Sequence, residues 1–321
     1  MNGANHFAEH LALRVREIEP ISPLLKRFVF EAADGGELPP AGPGAHLRLT
    51  LHGEGRKWKN AYSIVSAPVD RNHLAIIVRK VAQSRGGSAF LHDAVKAGDV
   101  VAAHEPGNLF PMSQIARKHL MVSGGIGVTP FLAYMTALKL SQTQFELHHF
   151  CREEEVPIFE RILCGFDASN IHIHPDSTSF DLSATLTTQP LGTHFYTCGP
   201  EGLMDLALAA ARDHGWPASK LHSESFGSGH IGGVPFTAVL KRSGLEVSVR
   251  EDQTLLEAIE EAGVEPACLC RGGACGECLT TVIEGEPEHR DHVLAAGERA
   301  SNRSIIICVS RAKTDRIVLD L

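Results

Sequence analysis

The chain has 321 residues, 43% apolar and 21% charged, which is globular usage and, at about 150 residues per domain, allows two or three domains. Its net charge of −8 divides as +2 over residues 1–112, −5 over 113–234 and −5 over 235–321, so it lacks the basic surface on which nucleic-acid binding depends. The polar start, and the lack of any apolar run of about 18 residues, argue against a secretion signal and a membrane span. A soluble, cytoplasmic protein with neither nucleic acid nor membrane as partner is expected.

In the first third, apolar and polar residues alternate over 24–31, 45–51, 61–65, 74–79 and 99–104, with Pro39-Pro40, Gly42-Pro43-Gly44 and Asn72 as turn signals. This spacing predicts an antiparallel barrel or sandwich interrupted by one helix over 88–95. From Lys118, strands at 119–123, 145–151, 171–174 and 194–197 alternate with helices at 130–139, 157–163 and 202–213. That rhythm predicts a parallel α/β sheet of nucleotide-binding type. The glycine-rich stretch 227–233 reads as a linker. Beyond it lie a hairpin (236–242 and 245–249, turned at Ser243-Gly244), a helix over 254–262 with Thr254 as N-cap and Glu257 at the capping-box position, and strands at 279–284, 305–308 and 317–321. The expected domains are 1–112, 113–226 and 235–321, joined by a linker at 227–234.

Four of the eight cysteines, Cys268, Cys270, Cys275 and Cys278, fall within eleven residues, and Cys308 stands alone near the end. Cys270-x4-Cys275-x2-Cys278 followed by the distant Cys308 is the plant-type spacing for four thiolates around a [2Fe–2S] cluster. Gly272, Gly273, Ala274 and Gly276 between them leave room for backbone N–H groups to turn towards sulfur. A zinc site is the alternative, although its ligand pairs are more often two to four residues apart. Strand alternation would put Cys268 on the same side as Cys270, as a spare. Cys151, Cys164 and Cys198 read as small buried hydrophobes.

The last unit resembles a plant-type ferredoxin of β-grasp fold, fused C-terminally as in the phthalate dioxygenase reductase and vanillate demethylase reductase family. Two glycine turns extend the resemblance. Gly124-Gly125-Ile126-Gly127-Val128-Thr129-Pro130 closes a strand and opens a helix, and Cys198-Gly199-Pro200 ends a strand some seventy residues later. By resemblance Gly124, Gly125, Gly127 and Thr129 lie beside pyrophosphate and flavin, with Cys198, Gly199 and Pro200 beside the nicotinamide. In the first domain Asn60-Ala61-Tyr62-Ser63 resembles the family's Arg-x-Tyr-Ser flavin motif, and Arg85-Gly86-Gly87-Ser88 resembles the segment that meets the flavin phosphate. Val78 and Arg79 join the expected flavin contacts. Because Asn60 replaces an arginine, Arg79 or Arg85 would have to supply the charge. Phe226 stands where the family sets an aromatic against the isoalloxazine, with core or hinge packing as the other reading.

The resemblance thus implies a flavin β-barrel, a parallel α/β nicotinamide domain and a C-terminal [2Fe–2S] ferredoxin. It implies the reductase component of a two-component system: NADH gives a hydride to FMN, and electrons pass singly through the cluster to a Rieske-type oxygenase. FMN is expected over FAD. NADH is expected over NADPH, since Glu153, Glu154 and Glu155 follow Arg152 and would repel a 2′-phosphate. No side chain is assigned a catalytic role. Within the group the likeness is closest to the carnitine monooxygenase branch, through Asn60-Ala61-Tyr62-Ser63, Ser84-Arg85-Gly86-Gly87-Ser88, His289-Arg290-Asp291 with Glu298-Arg299-Ala300, and the stretch from Ser310 to Leu321. A reductase for another quaternary-ammonium or aromatic-acid oxygenase and a stand-alone NADH diaphorase or flavin reductase are the alternatives. Among the 18 histidines, His172 and His174 share a strand face, but spacing alone places no third metal ligand.

Overall fold

The computed structural model describes residues 10–53, 55–81, 86–175, 180–226 and 232–321. The chain divides into two compact units, Met1–Ser225 and Phe226–Leu321.

The first unit begins with an antiparallel sheet of β1 (His10–Ser22), β2 (Leu25–Ala32), β3 (Ala45–Gly53), β4 (Arg56–Ser63) and β5 (Leu74–Arg79), then, after α1 (Gly87–Asp93), β6 (Val100–His104) and β7 (Gly107–Asn108). The strands run in the order β4-β3-β6-β1-β2-β5, with β7 paired to β3. An isolated bridge between Ile64 and Ile76 links the end of β4 to β5, so the sheet nearly closes into a barrel. Closure spares the two outer strands an open edge. Alternate residues of each strand fill the interior: Leu13 and Val15, Phe28 and Phe30, Leu47 and Leu49, and Ile76 are fully buried, each contributing about 1.5–3 kcal/mol.

A parallel sheet follows, built as β8 (Lys118–Gly124), α2 (Thr129–Ser141), β9 (Gln144–Phe150), α3 (Val156–Leu163), β10 (Ile171–His174), α4 (Leu182–Thr187), β11 (Thr193–Cys198), α5 (Glu201–Asp213) and β12 (Leu221–Glu224). Its order is β10-β9-β8-β11-β12. Helices α2 and α3 cover one face and α4 and α5 the other. Ile21, Leu25, Ile77 and Phe110 of the barrel pack into the same core as Met121, Phe131, Tyr134 and Tyr196, which is why barrel and sheet form one compact body. The strand order reverses between β8 and β11, and in open α/β sheets the crevice at such a reversal, outside the carboxyl ends of the strands, is where ligands bind.

The second unit holds β13 (Phe236–Leu240), β14 (Leu245–Val249), α6 (Leu255–Glu261), β15 (Leu279–Glu284), β16 (Pro287–Glu288), α7 (Ala296–Ser301), β17 (Ser304–Ile306), β18 (Arg311–Ala312) and β19 (Arg316–Leu319). Its main sheet runs β14-β13-β19-β15-β17 and β16 pairs with β18. The expected capping box is present: Thr254 Oγ1 accepts from Glu257 N at 3.1 Å and Glu257 Oε2 accepts from Thr254 N at 3.0 Å. Arg311 is fully buried, donating to the carbonyls of Gln253, Val234 and Arg250 at 2.6, 3.1 and 3.0 Å, with its guanidinium over the Phe236 ring.

Some sequence expectations change. β4 begins at Arg56 and ends at Ser63 rather than spanning 61–65, and β17 ends at Ile306, leaving Cys308 in the turn that follows. Residues 266–278 contain no strand, so the alternation argument for Cys268 fails. Cys164 is exposed rather than buried. Within 227–234, residues 227–231 lie outside the described residues. No helix among the described residues is long and apolar enough to cross a membrane.

Candidate functional site

The two glycine turns, seventy residues apart in sequence, touch at the crevice between β8 and β11. A Cβ on Gly127 would stand 2.3 Å from the Cys198 carbonyl oxygen, one on Gly124 would stand 2.7 Å from Pro200 Cδ, and one on Gly199 would stand 2.8 Å from Gly124 N. Backbone meets backbone here, and side chains would force the turns apart. Thr129 Oγ1 donates to the Ile126 carbonyl at 2.9 Å, fastening the turn into α2. The Cys198 thiol is fully buried; burial, then the nearby Glu224, raise its pKa well above the ordinary thiol value. It is therefore a neutral packing group at neutral pH, unsuited to act as nucleophile or base.

Arg79 reaches this edge from the barrel. Its Nη1 would lie 3.8 Å from a Cβ on Gly125, while Nη2 donates to Glu155 Oε1 at 2.7 Å. The guanidinium expected to compensate for Asn60 is thus engaged by one of the three glutamates after Arg152. Arg85, the other candidate cation, lies outside the described residues.

On β4, Trp58, Asn60 and Tyr62 share one face by strand alternation, and Asn60 Nδ2 donates to Tyr62 Oη at 3.2 Å. The start of α1 lies against them: a Cβ on Gly87 would stand 3.0 Å from the Asn60 amide, and one on Gly86 3.2 Å from Trp58 Nε1. Trp58, whose ring lies 4.9 Å from that of Phe90, was not singled out in the sequence, although its period-two spacing from Asn60 and Tyr62 carried the signal. Ser88 Oγ accepts from Val81 N at 3.3 Å. Among the described residues Ser63 Oγ, a hydroxyl at the end of the flavin-like motif, is buried without a hydrogen-bond partner. Val78 is buried in the barrel core, and its carbonyl faces His92 Nε2 at 2.9 Å. Phe226 is the first residue of the second unit and is 43% exposed.

In the second unit five thiols converge. Cys270 is within hydrogen-bonding reach of Cys275 and Cys308, and Cys268 within reach of Cys278 and Cys308. Hydrogen bonds from Cys275 and Cys308, and from backbone N–H groups of Gly272 and Ala274, hold the Cys270 thiol well below its ordinary pKa in spite of burial. Gly272 N donates to Cys270 Sγ at 3.3 Å. The loop is braced from two sides. Arg271, at φ +54°, makes a bidentate pair with Glu260 of α6 at 2.8 and 2.7 Å. His292 N donates to the Gly273 carbonyl, and Asp291 accepts from Val293 N and Leu294 N. The neighbouring thiols, with burial, push Cys275, Cys278 and Cys308 the other way, above the ordinary thiol value, so it is the convergence of the sulfurs and the inward-turned N–H groups that fits an iron–sulfur cluster.

Comparison with known proteins agrees with this geometry. Residues 239–313 match the family of 2Fe-2S iron-sulfur cluster binding domains, and residues 107–221 match the N-terminal domain of dimethylamine monooxygenase subunit DmmA-like proteins. The chain is 41% identical over 313 residues to the carnitine monooxygenase reductase subunit of Escherichia coli (strain K12), covering 96% of this chain and 98% of that one. It is also 41% identical over 312 residues to the heme-dependent oxidative N-demethylase beta subunit of Ectopseudomonas mendocina (strain ymp), covering 97% and 99%. The solved structure of phthalate dioxygenase reductase, described as a modular structure for electron transfer from pyridine nucleotides to [2Fe–2S], superposes with a TM-score of 0.86 at 32% identity, over 97% of this chain and 98% of that one.

Proposed function

Because the chain belongs to the family of iron–sulfur reductase subunits of oxygenases that includes carnitine monooxygenase reductase and phthalate dioxygenase reductase, we propose that it carries electrons from NADH through FMN and a [2Fe–2S] centre to a Rieske-type oxygenase, carnitine monooxygenase first among the candidates. The observation that carries this reading is the convergence of Cys270, Cys275, Cys278 and Cys308, the proposed ligands, in a unit matched by the 2Fe-2S binding family. The chemistry the bound groups supply is conversion of a two-electron hydride donor into single electrons, since nicotinamide gives two at once and the cluster accepts one.

The chain's own residues bind and orient. The backbone at Gly124, Gly125 and Gly127, with Thr129 fastening the turn, would line the pyridine nucleotide, and Cys198, Gly199 and Pro200 would border the nicotinamide. Tyr62 and Trp58 offer ring faces to the flavin, the unpartnered Ser63 hydroxyl a hydrogen bond, and Gly86, Gly87 and Ser88 a phosphate contact. Arg79 would serve the phosphate only after leaving Glu155. Three functional segments, 1–112, 113–226 and 235–321, and a cytoplasmic location complete the proposal.

One observation favours a second partner: the equal identity to the heme-dependent N-demethylase subunit and the match of 107–221 to the dimethylamine monooxygenase family. Absorption spectra before and after NADH, with the released flavin identified, test the cofactors; a colourless, zinc-containing second unit would end the proposal. Cys275→Ser should abolish reduction of one-electron acceptors beyond the flavin while leaving flavin reduction by NADH largely intact, and equal loss of both would refute the order of transfer. Mixing with carnitine oxygenase and with a heme N-demethylase decides the partner, by which one couples NADH oxidation to substrate turnover. Coupling to neither leaves the diaphorase reading.

A further inference from the structure

Glu146 and His148 on β9 and His172 on β10 stand together on the face of the parallel sheet covered by α4 and α5, away from the two glycine turns. His148 is in register with His172 across the strands, and their rings stack 4.8 Å apart. His148 Nε2 lies 2.9 Å from Glu146 Oε1. One ligand atom from each of the three residues falls within 4.8 Å of the other two. Two imidazole nitrogens and a carboxylate oxygen suit zinc and related divalent ions, and atoms bound about 2.1 Å from such an ion lie about 3.0–3.4 Å from each other. His172 is exposed, so its imidazole has room to turn towards the other two ligand atoms.

The neighbours fix the protons. His148 Nδ1 lies 3.1 Å from His174 Nε2. When His148 Nε2 gives up its proton to bind a cation, Nδ1 carries the ring proton and donates to His174, the kind of outer partner that orients a metal-bound imidazole. Glu146 Oε2 is taken by Lys118 Nζ at 2.6 Å and Gln189 Nε2 at 3.1 Å, leaving Oε1 for the ion. The opposing charge is the Lys118 ammonium, bound to the far oxygen. An open cavity of about 950 Å³, lined in part by Lys118, Glu146, Cys164, Asp167 and His172, lets an ion reach the cluster from solvent.

We propose that Glu146, His148 and His172 form a binding site for a zinc-like divalent cation that ties the edge strand β10 to β9.

The test titrates the holoprotein, with flavin and iron–sulfur cluster in place and added metals removed by dialysis, with zinc chloride in a calorimeter, followed by zinc K-edge absorption spectroscopy. The expected result is one zinc per chain in a shell of nitrogen and oxygen alone. His172→Ala should weaken binding at least about tenfold and Lys118→Gln, which removes the competing ammonium, should tighten it. The visible spectrum of His172→Ala should match that of the parent, which separates loss of the site from loss of the fold. A sulfur-containing shell, unchanged binding by His172→Ala, weaker binding by Lys118→Gln, or no binding below about 1 mM would overturn the assignment.

Discussion

Glu260→Ala tests how the cluster loop is held. The Arg271–Glu260 side chains are 7% and 17% exposed, so the pair is little screened by water. Removing one partner of such a pair costs about 3–5 kcal/mol, because the other charge stays buried alone. Burial by itself would lower the Arg271 pKa, but the hydrogen bonds and charge of Glu260 raise it above the ordinary value. In a unit of about a hundred residues each kcal/mol shifts the melting midpoint by about 4–8 °C, so the lower end of the range gives about 12–24 °C. The assay is bleaching of cluster absorbance during heating at a fixed scan rate, since the loss is irreversible. Release of flavin fluorescence from the first unit serves as an internal reference and should not move. The double variant Arg271→Met/Glu260→Leu removes both charges and should recover most of the loss. A bleaching midpoint lowered by less than about 4 °C, or a double variant as unstable as the single one, would refute the reasoning.

Gly127→Ala should reduce NADH oxidation and lower the stability of the first unit by about 1–3 kcal/mol, because its Cβ would meet the Cys198 carbonyl. Gly202→Ala in α5, where nothing lies within 4 Å of the new methyl, should instead be neutral or stabilise by up to about 1 kcal/mol; denaturant midpoints distinguish them, and equal losses would contradict the contact argument. The first unit should also weaken in acid. Burial, then the charges of His194 and His222, lower His119 to about 4, and burial, then His174, lower His149 to about 3, so both are neutral when folded and take up protons on unfolding. Their stabilisation is complete above the unfolded value near 6.5 and is lost as pH falls, at about 1.4 kcal/mol per pH unit for each histidine, until the folded values are reached. Midpoints measured between pH 7 and 5 should fall accordingly, His119→Phe should flatten the slope, and an unchanged slope in that variant would exclude His119 as a source.

The features most legible in the sequence were those written in adjacent residues. The cysteine spacing, the glycine turns and the capping box at Thr254 each depend on local geometry, which a few neighbouring residues determine. β1 was missed because its inward residues Leu11, Leu13 and Val15 lose phase at a register shift between Val15 and Glu17, after which Ile18 faces the core in place of position 17. The charged start of β4, Arg56-Lys57-Trp58-Lys59, hid a strand whose polar residues alternate with the aromatic. Contacts between distant segments were out of reach of any periodicity. Nothing in the spacing announces that Arg79 meets Glu155, that Cys268 lies against Cys278 and Cys308, or that Glu146 and His148 complete the surroundings of His172.

In the second unit β19 lies at the centre of the main sheet, between β13 and β15, parallel to the first and antiparallel to the second. The strand that joins the two halves of the sheet is therefore the last to be synthesised. A nascent chain still missing it can form the β13–β14 hairpin and α6, yet has no continuous sheet under the cysteine loop. Until β19 is in place nothing among the described residues links β13 to β15 in the sheet, so the two halves of this sheet join only through its final strand.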